Sequence, residues 1–278
     1  VSNLLVSAPH NHQATIRLYE AGNPTPIASV NTTSGSENYS FGSTKIYVNK
    51  QYIVSVAPFS GYSFTPSQVA INNPVGNQEA NFVAIRGMFE IKGFVDGVDY
   101  TNPNLVGEKV KLSCPGSVEN EVFVKGDGTE EYTFHVLAFG SYTVTPTMDG
   151  HNFRYNSTTD PSHTYNLISS SISNENYHAS IKTYTISGRV LDDNGNGVNG
   201  VTINITNTGN VPGYTGPIIT DATGNFSYTV NARQNYTLTP AKTGVTIVPA
   251  NASFTDIKDN VVQFFFTTVL KTWKVTGY

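Results

Sequence analysis

The chain has a single cysteine, Cys114, so no disulfide can form within it and packing alone must hold the fold. Methionine (2) and tryptophan (1) are scarce. Charged residues make up only 13% of the 278, and the net charge is -4. No basic run occurs, which leaves a nucleic-acid role without an electrostatic footing. No apolar stretch approaches the roughly 18 residues that a membrane helix needs. No segment sustains a 3.6-residue apolar period, which argues against helices. The patterns Gly-x-Ser-x-Gly and His-Glu-x-x-His and the phosphate-binding glycine loop are all missing, so no catalytic residue is expected and the chain does not read as an enzyme. The first residue is Val1, not Met, which fits a removed leader or a fragment. No Leu-Pro-x-Thr-Gly sorting motif closes the chain.

What the chain does have is tyrosine (16), phenylalanine (15), glycine (24) and many Asn, Thr and Ser residues, a mix that favours short strands joined by polar turns. A repeat is visible. Its clearest copy reads Tyr184-Thr-Ile-Ser-Gly188-Arg-Val190, then Val201-Thr-Ile-Asn-Ile205, then Thr220-Asp-Ala-Thr-Gly224-Asn-Phe226-Ser-Tyr228. Tyr236-Thr-Leu-Thr-Pro240, Gly244-Val-Thr-Ile247 and Val261-Val-Gln-Phe-Phe-Phe266 complete it. Apolar and polar residues alternate with period two, and Gly or Asn-Gly separates the runs. Seven short strands of this kind read as a β-sandwich. The middle copy runs from Phe89-Glu-Ile-Lys-Gly93-Phe-Val95 to Tyr177-His-Ala-Ser-Ile181, with a longer loop from Asp96 to Gly107. The first copy has Ala14-Thr-Ile16-Arg-Leu18, Gly35-Ser-Glu-Asn-Tyr39-Ser-Phe41, Tyr52-Ile-Val-Ser-Val56, Gly61-Tyr-Ser-Phe64 and Ala80-Asn-Phe-Val-Ala-Ile85. The expected organisation is all-β: three tandem immunoglobulin-like or transthyretin-like sandwiches over residues 1–86, 87–183 and 184–271. A further strand follows over 272–278. No flexible linker separates the units, so a stiff array is expected.

The motifs Ile-Ser-Gly-x-Val, Thr-Asp-x-x-Gly-x-Phe and Tyr-x-Leu-x-Pro of the third copy resemble the carboxypeptidase-regulatory-like repeat and the collagen-adhesin B-type domains. The second copy matches loosely and the first in part. The resemblance implies a prealbumin-like sandwich used as a stalk, spacer, adhesin or pilin.

The ends are informative. Trp273-Lys-Val275-Thr-Gly277-Tyr278 aligns with Tyr184-Thr-Ile-Ser-Gly-Arg and Phe89-Glu-Ile-Lys-Gly-Phe as a first strand with no fourth unit behind it. The first copy has only Val1 to His12 ahead of its second strand. A sandwich short of one strand exposes a groove and an unpaired edge, and both invite a strand from another chain. Trp273, Val275, Gly277 and Tyr278 are therefore the expected donor strand, and Val1, Leu4, Leu5, Ile16 and Leu18 the expected acceptor groove. The arrangement resembles that of strand-exchanging pilins, in which copies of one chain join head-to-tail at the cell surface. The other readings are a slice of a longer adhesin or carbohydrate-binding stalk with covalent repeats, and a tail folded back on its own sandwich.

Other candidate sites are weaker. His10-x-His12 could form half a metal site, yet no third ligand is near in sequence, and no metal or cofactor is expected. Asp192-x-Asn194-x-Asn196-Gly197 opens like a calcium loop, but Ile203 stands where the bidentate glutamate belongs, so a polar hairpin turn is expected. Seven Asn-x-Ser/Thr sequons, at Asn31, Asn38, Asn156, Asn204, Asn225, Asn235 and Asn251, are possible glycan sites. Lys92 is the one first-strand lysine that could form the Lys–Asn isopeptide bond of some collagen-adhesin B-type domains, and no equivalent lysine occurs at Thr185 or Thr15. The matched aromatics Tyr39, Tyr132 and Phe226, and Tyr52, Tyr142 and Tyr236, read as core packing.

Overall fold

A computed structural model describes residues 1–5, 10–33, 35–42, 44, 46–270 and 275–277. Its strands follow the alternation in the sequence. The first unit holds β1 (Thr15–Glu20), β2 (Ala28–Asn31), β3 (Gln51–Val56), β4 (Tyr62–Thr65), β5 (Gln68–Asn72) and β6 (Val83–Arg86). The second holds β7 (Met88–Asp96), β8 (Val110–Ser113), β9 (Glu121–Val124), β10 (Glu131–Leu137), β11 (Tyr142–Thr147), β12 (His151–Tyr155), β13 (His163–Tyr165) and β14 (Tyr177–Ile181). The third holds β15 (Thr183–Leu191), β16 (Thr202–Ile205), β17 (Ile218–Ile219), β18 (Asn225–Asn231), β19 (Tyr236–Ala241), β20 (Val245–Val248), β21 (Ala252–Phe254) and β22 (Val261–Leu270). The chain is all-β, in separate sheets around three hydrophobic cores.

In the second and third units two four-stranded sheets face each other. Their orders are β10-β7-β14-β12 over β13-β11-β8-β9, and β18-β15-β22-β20 over β17-β16-β19-β21. The third unit has eight strands where seven were expected, because the two-residue β17 pairs with β16. Inward residues seal each core: Ile91, Val95, Phe134 and Val144 in the second, Ile186, Val190, Ile203 and Leu238 in the third, all fully buried. Each such side chain contributes about 1.5–3 kcal/mol of apolar burial. The Asp96–Gly107 loop makes a short 3-10 turn at Pro103–Leu105, capped by the Asn102 side chain, with Leu105 buried beneath it.

The first unit departs from this plan. One sheet has four strands, β2-β1-β3-β5, but the other, among the described residues, consists of β4 and β6. The run Tyr39-Ser-Phe41, expected as a strand from its match to β10 and β18, adopts no strand conformation. The physical reason lies beside it. In the other units the equivalent strand is hydrogen-bonded along its length to the first strand, and among the described residues no strand pairs with this run, so no ladder holds it extended.

Candidate strand-acceptor groove

The second and third units show how a first strand is held. β7 runs antiparallel to β10, from Glu131↔Phe94 to Leu137↔Met88, and parallel to β14 at Tyr177↔Val95. β15 does the same between β18 and β22, with Val190 opposite Phe266. In the first unit Ser2 forms a parallel bridge to Val83. The Ser2 amide donates to the Phe82 carbonyl (2.8 Å), and the Ala84 amide donates to the Ser2 carbonyl (2.8 Å). Phe82, Tyr177 and Phe266 are equivalent, each at most 1% exposed, so Val1 occupies the place of Val95 and Val190. The Val1 ammonium donates to the Glu37 carbonyl (2.9 Å), and the Glu37 carboxylate accepts from the Leu4 amide (2.8 Å).

Upstream of Val1, where Phe89–Phe94 and Tyr184–Arg189 lie in the other units, there is a groove of about 560 Å³. Leu18, Val54 and Ile71 line it from the four-stranded sheet, Tyr39 and Phe41 from one wall, and Gly76 to Asn81 from the other. In the second unit the Lys92 amide donates to the Ile172 carbonyl, and the Glu175 amide to the Lys92 carbonyl. Among the described residues, no backbone carbonyl takes the amides of Asn77 through Ala80, which hold the corresponding positions. They therefore form an unpaired backbone edge.

One detail matches across units. The Tyr132 hydroxyl donates to the Glu175 carbonyl, bridging over Gly93, which pairs with Tyr132 in the ladder. The Tyr39 hydroxyl donates to the Ala80 carbonyl in the same way. A Cβ on Gly93 would collide with the Glu175 carbonyl, and one on Gly188 with the Phe264 carbonyl. Glycine is required there because the last strand's approach crosses too close for any side chain. Tyr132 is 2% exposed under its first strand, whereas Tyr39 is only half-buried, with its phenol pKa raised by that burial.

The expected groove residues divide. Val1 and Leu18 line the groove. Leu4 and Ile16 are buried in the first core, and the half-buried Leu5 donates its amide to the Tyr62 hydroxyl (3.2 Å). Sequence reasoning did not assign Tyr39, Phe41, Glu37 and Ala80 to the groove. The signal was present in the aligned positions of Tyr39, Tyr132 and Phe226, which read as core packing. Of the expected donor residues, Trp273 and Tyr278 lie outside the described residues. Val275 is 97% exposed, and neither it nor Gly277 is in a strand.

The remaining candidates have structural settings. His12 packs its ring on Phe139 (4.3 Å between centroids), Phe59 and Tyr62, with His10 at 5.6 Å. Burial first, and His10 second, lower the His12 pKa. Both carboxylate oxygens of Asp192 face its own turn, accepting from the Asn194 and Asn196 amides and the Asn196 side chain. Cys114 is fully buried, and burial pushes its thiol up to about 11. Lys92 pairs with Glu90 (2.8 Å). The buried Glu175 carboxylate accepts from the hydroxyls of Tyr165 and Tyr177 and lies 3.1 Å from the His163 ring. All seven sequon asparagines are exposed, with Asn38 on the groove wall.

Fold and groove together define a class: an all-β chain of several sandwiches, with a groove beside the first strand position of the first one. No protein-family model matches the chain, and no curated protein does. Among solved structures it is similar to the Bacillus anthracis TIE protein, with 14% identity, TM-score 0.45, and 92% of this chain covered against 47% of that one. The chain thus spans about half the length of that protein. It is also similar to GBS52, the minor pilin of Streptococcus agalactiae (13% identity, TM-score 0.31, 68% and 100% covered). A third similarity is to the major pilin SpaD of Corynebacterium diphtheriae (9%, 0.31, 91% and 89%).

Proposed function

We propose that the chain is a structural subunit of an extracellular, pilus-like filament whose copies join head-to-tail by strand donation. The observation that carries this reading is the groove at the first-strand position of the first unit. The tail of a second copy has the matching chemistry. Register supports the match: Phe82 precedes Ile91 by the same interval as Tyr177 precedes Ile186 and Phe266 precedes Val275. The tail therefore leaves the third unit in phase to enter a next unit. In that phase Val275 takes the place of the fully buried Ile91 and Ile186, Gly277 takes that of Gly93 beneath Tyr39, and Trp273 and Tyr278 take those of Phe89 and Phe94. Burying Val275 would contribute about 1.5–3 kcal/mol, with backbone ladders on both sides added to it. A head-to-tail contact of this kind propagates into an open filament unless it closes into a ring. Glycan attachment at one or more of the exposed sequons belongs to the same reading.

The test is Val275→Asp in the full chain, with filaments scored by negative-stain microscopy. The wild-type chain is expected to form regular filaments that denature to 30.1 kDa subunits. The variant, which would place a carboxylate in an apolar groove, is expected to remain as short rods. Unaltered filaments in the variant would refute strand donation. The equal register interval also favours a second reading, in which the preceding repeat of a longer covalent surface protein, a stalk or adhesin, fills the groove. A native denatured mass several times 30.1 kDa would decide for that reading.

A further inference from the structure

We infer that a second copy of this chain also docks corner to corner, its Val48–Asn49 turn seating over Gly244, in a joint of the same kind as two joints inside the chain. This rests on the head-to-tail reading and adds a contact surface separate from the donated strand.

The internal joints share one construction. Between the first and second units, the Gly87 amide donates to the Gly61 carbonyl and the Ala138 amide to the Gly87 carbonyl, both at 2.8 Å. A Cβ on Gly61 would lie 2.6 Å from the Phe139 ring and 3.2 Å from the Ala138 Cβ, so the Ala138–Phe139 turn sits directly on this glycine. Between the second and third units, the Lys182 amide donates to the Gly150 carbonyl (2.8 Å) and the Ala232 amide to the Lys182 carbonyl (2.9 Å). A Cβ on Gly150 would lie 2.5 Å from the Arg233 Cγ and 3.1 Å from the Ala232 Cβ. Both glycines have positive φ, +78° and +75°. Both seated residues, Phe139 and Arg233, also have positive φ, 59° each, which is uncommon for a side chain of that size.

Among the described residues, the first and third units each carry one half of this construction without a counterpart. The registers Tyr62↔Arg86, His151↔Ile181 and Val245↔Leu270 place Gly244 where Gly61 and Gly150 stand. Gly244 has φ +82°, and among the described residues nothing lies within 4 Å of its Cβ position. In the first unit, the Tyr47 amide donates to the Tyr52 hydroxyl (2.8 Å), as the Leu137 amide donates to the Tyr142 hydroxyl (3.0 Å). That match places Val48 and Asn49 where Ala138 and Phe139 stand. Asn49 has the same left-handed φ, 62°, and Val48 is 61% exposed. The first unit therefore carries an exposed apolar corner and the third a glycine shelf, in the form that fits together twice inside the molecule.

The experiment is disulfide trapping in the full chain. Positions 48 and 244 correspond to Cβ pairs about 3.1–3.2 Å apart in the internal joints, close to the roughly 3.8 Å of a disulfide. Cys114 is buried and does not compete. After assembly and mild oxidation, the Val48→Cys, Gly244→Cys double variant is expected to give a non-reducing ladder at multiples of 30.1 kDa, which reductant collapses. Each single variant should remain at 30.1 kDa, because the joint then offers its cysteine no partner thiol. Filaments without a ladder would overturn the joint and leave strand donation standing, whereas absence of filaments in the wild-type chain would overturn the reading beneath it. Because a side chain at Gly244 is strained, Val48→Asp serves as the second variant. It should leave the melting temperature of the unassembled chain unchanged and raise the concentration needed for assembly at least tenfold. Unchanged assembly would overturn the joint.

Discussion

Three glycines at one repeat position give a perturbation whose outcome differs with context. Gly93 and Gly188 lie in first strands inside complete sandwiches, and Gly277 occupies the same motif position in the tail. The first two are not in the left-handed region, so alanine there is opposed by contact alone. Its Cβ would fall inside 3.0 Å of the Glu175 or Phe264 carbonyl oxygen, and the last strand's approach would have to shift. Forcing extra atoms into a packed site costs roughly 1–3 kcal/mol. Taking about 2 kcal/mol, Gly93→Ala should lower the melting temperature of its unit by about 8–16 °C. Gly188→Ala should do the same to the third unit. Among the described residues nothing lies within 4 Å of the Gly277 Cβ position, so Gly277→Ala should leave every melting transition in place. In a filament its Cβ would meet the Ala80 carbonyl beneath Tyr39. The same 2 kcal/mol then becomes about a thirtyfold rise in the concentration needed for assembly. Calorimetry of the unassembled chains and sedimentation of the assembled ones read the two effects. Wild-type assembly by Gly277→Ala, alongside a destabilised Gly93→Ala, would refute the proposed register of the donated strand. An unshifted melt for Gly93→Ala would refute the steric argument itself.

Further outcomes concern the fold. The Asn225 backbone amide and then the Thr223 hydroxyl, both donating to Asp221, hold its carboxyl down to about 2. A depressed carboxyl stabilises the folded state above its unfolded pKa, and that contribution is lost as pH falls from about 4 towards 2. Asp221→Asn should therefore flatten the drop in melting temperature over that window, and an identical acid profile would count against the turn's role. Cys114, with its thiol pushed up to about 11 and fully buried, should not react with a thiol reagent at pH 8 until the chain is denatured. Rapid labelling of the native chain would contradict that.

Much of this molecule was legible in one dimension, because side-chain alternation and turn chemistry are local. Tyr184-Thr-Ile-Ser-Gly-Arg-Val declares a strand with Ile186 and Val190 inward, and both are fully buried. The repeat also made visible, before any coordinate, that the tail shares the motif of the first strands. Three things depended on pairing across the chain. Tyr39-Ser-Phe41 has the alternation of a strand and forms none, because alternation selects a face but a ladder needs a neighbour. Tyr39 belongs to the groove wall, since its hydroxyl reaches a carbonyl 41 residues away. The joints rest on the backbone angles of Phe139, Arg233 and Asn49, and on contacts such as the Asn102 side chain to the Arg233 carbonyl, 131 residues apart. Composition and period determine which residues turn inward; which edge remains open, and which corner seats on which glycine, is decided only when distant segments meet.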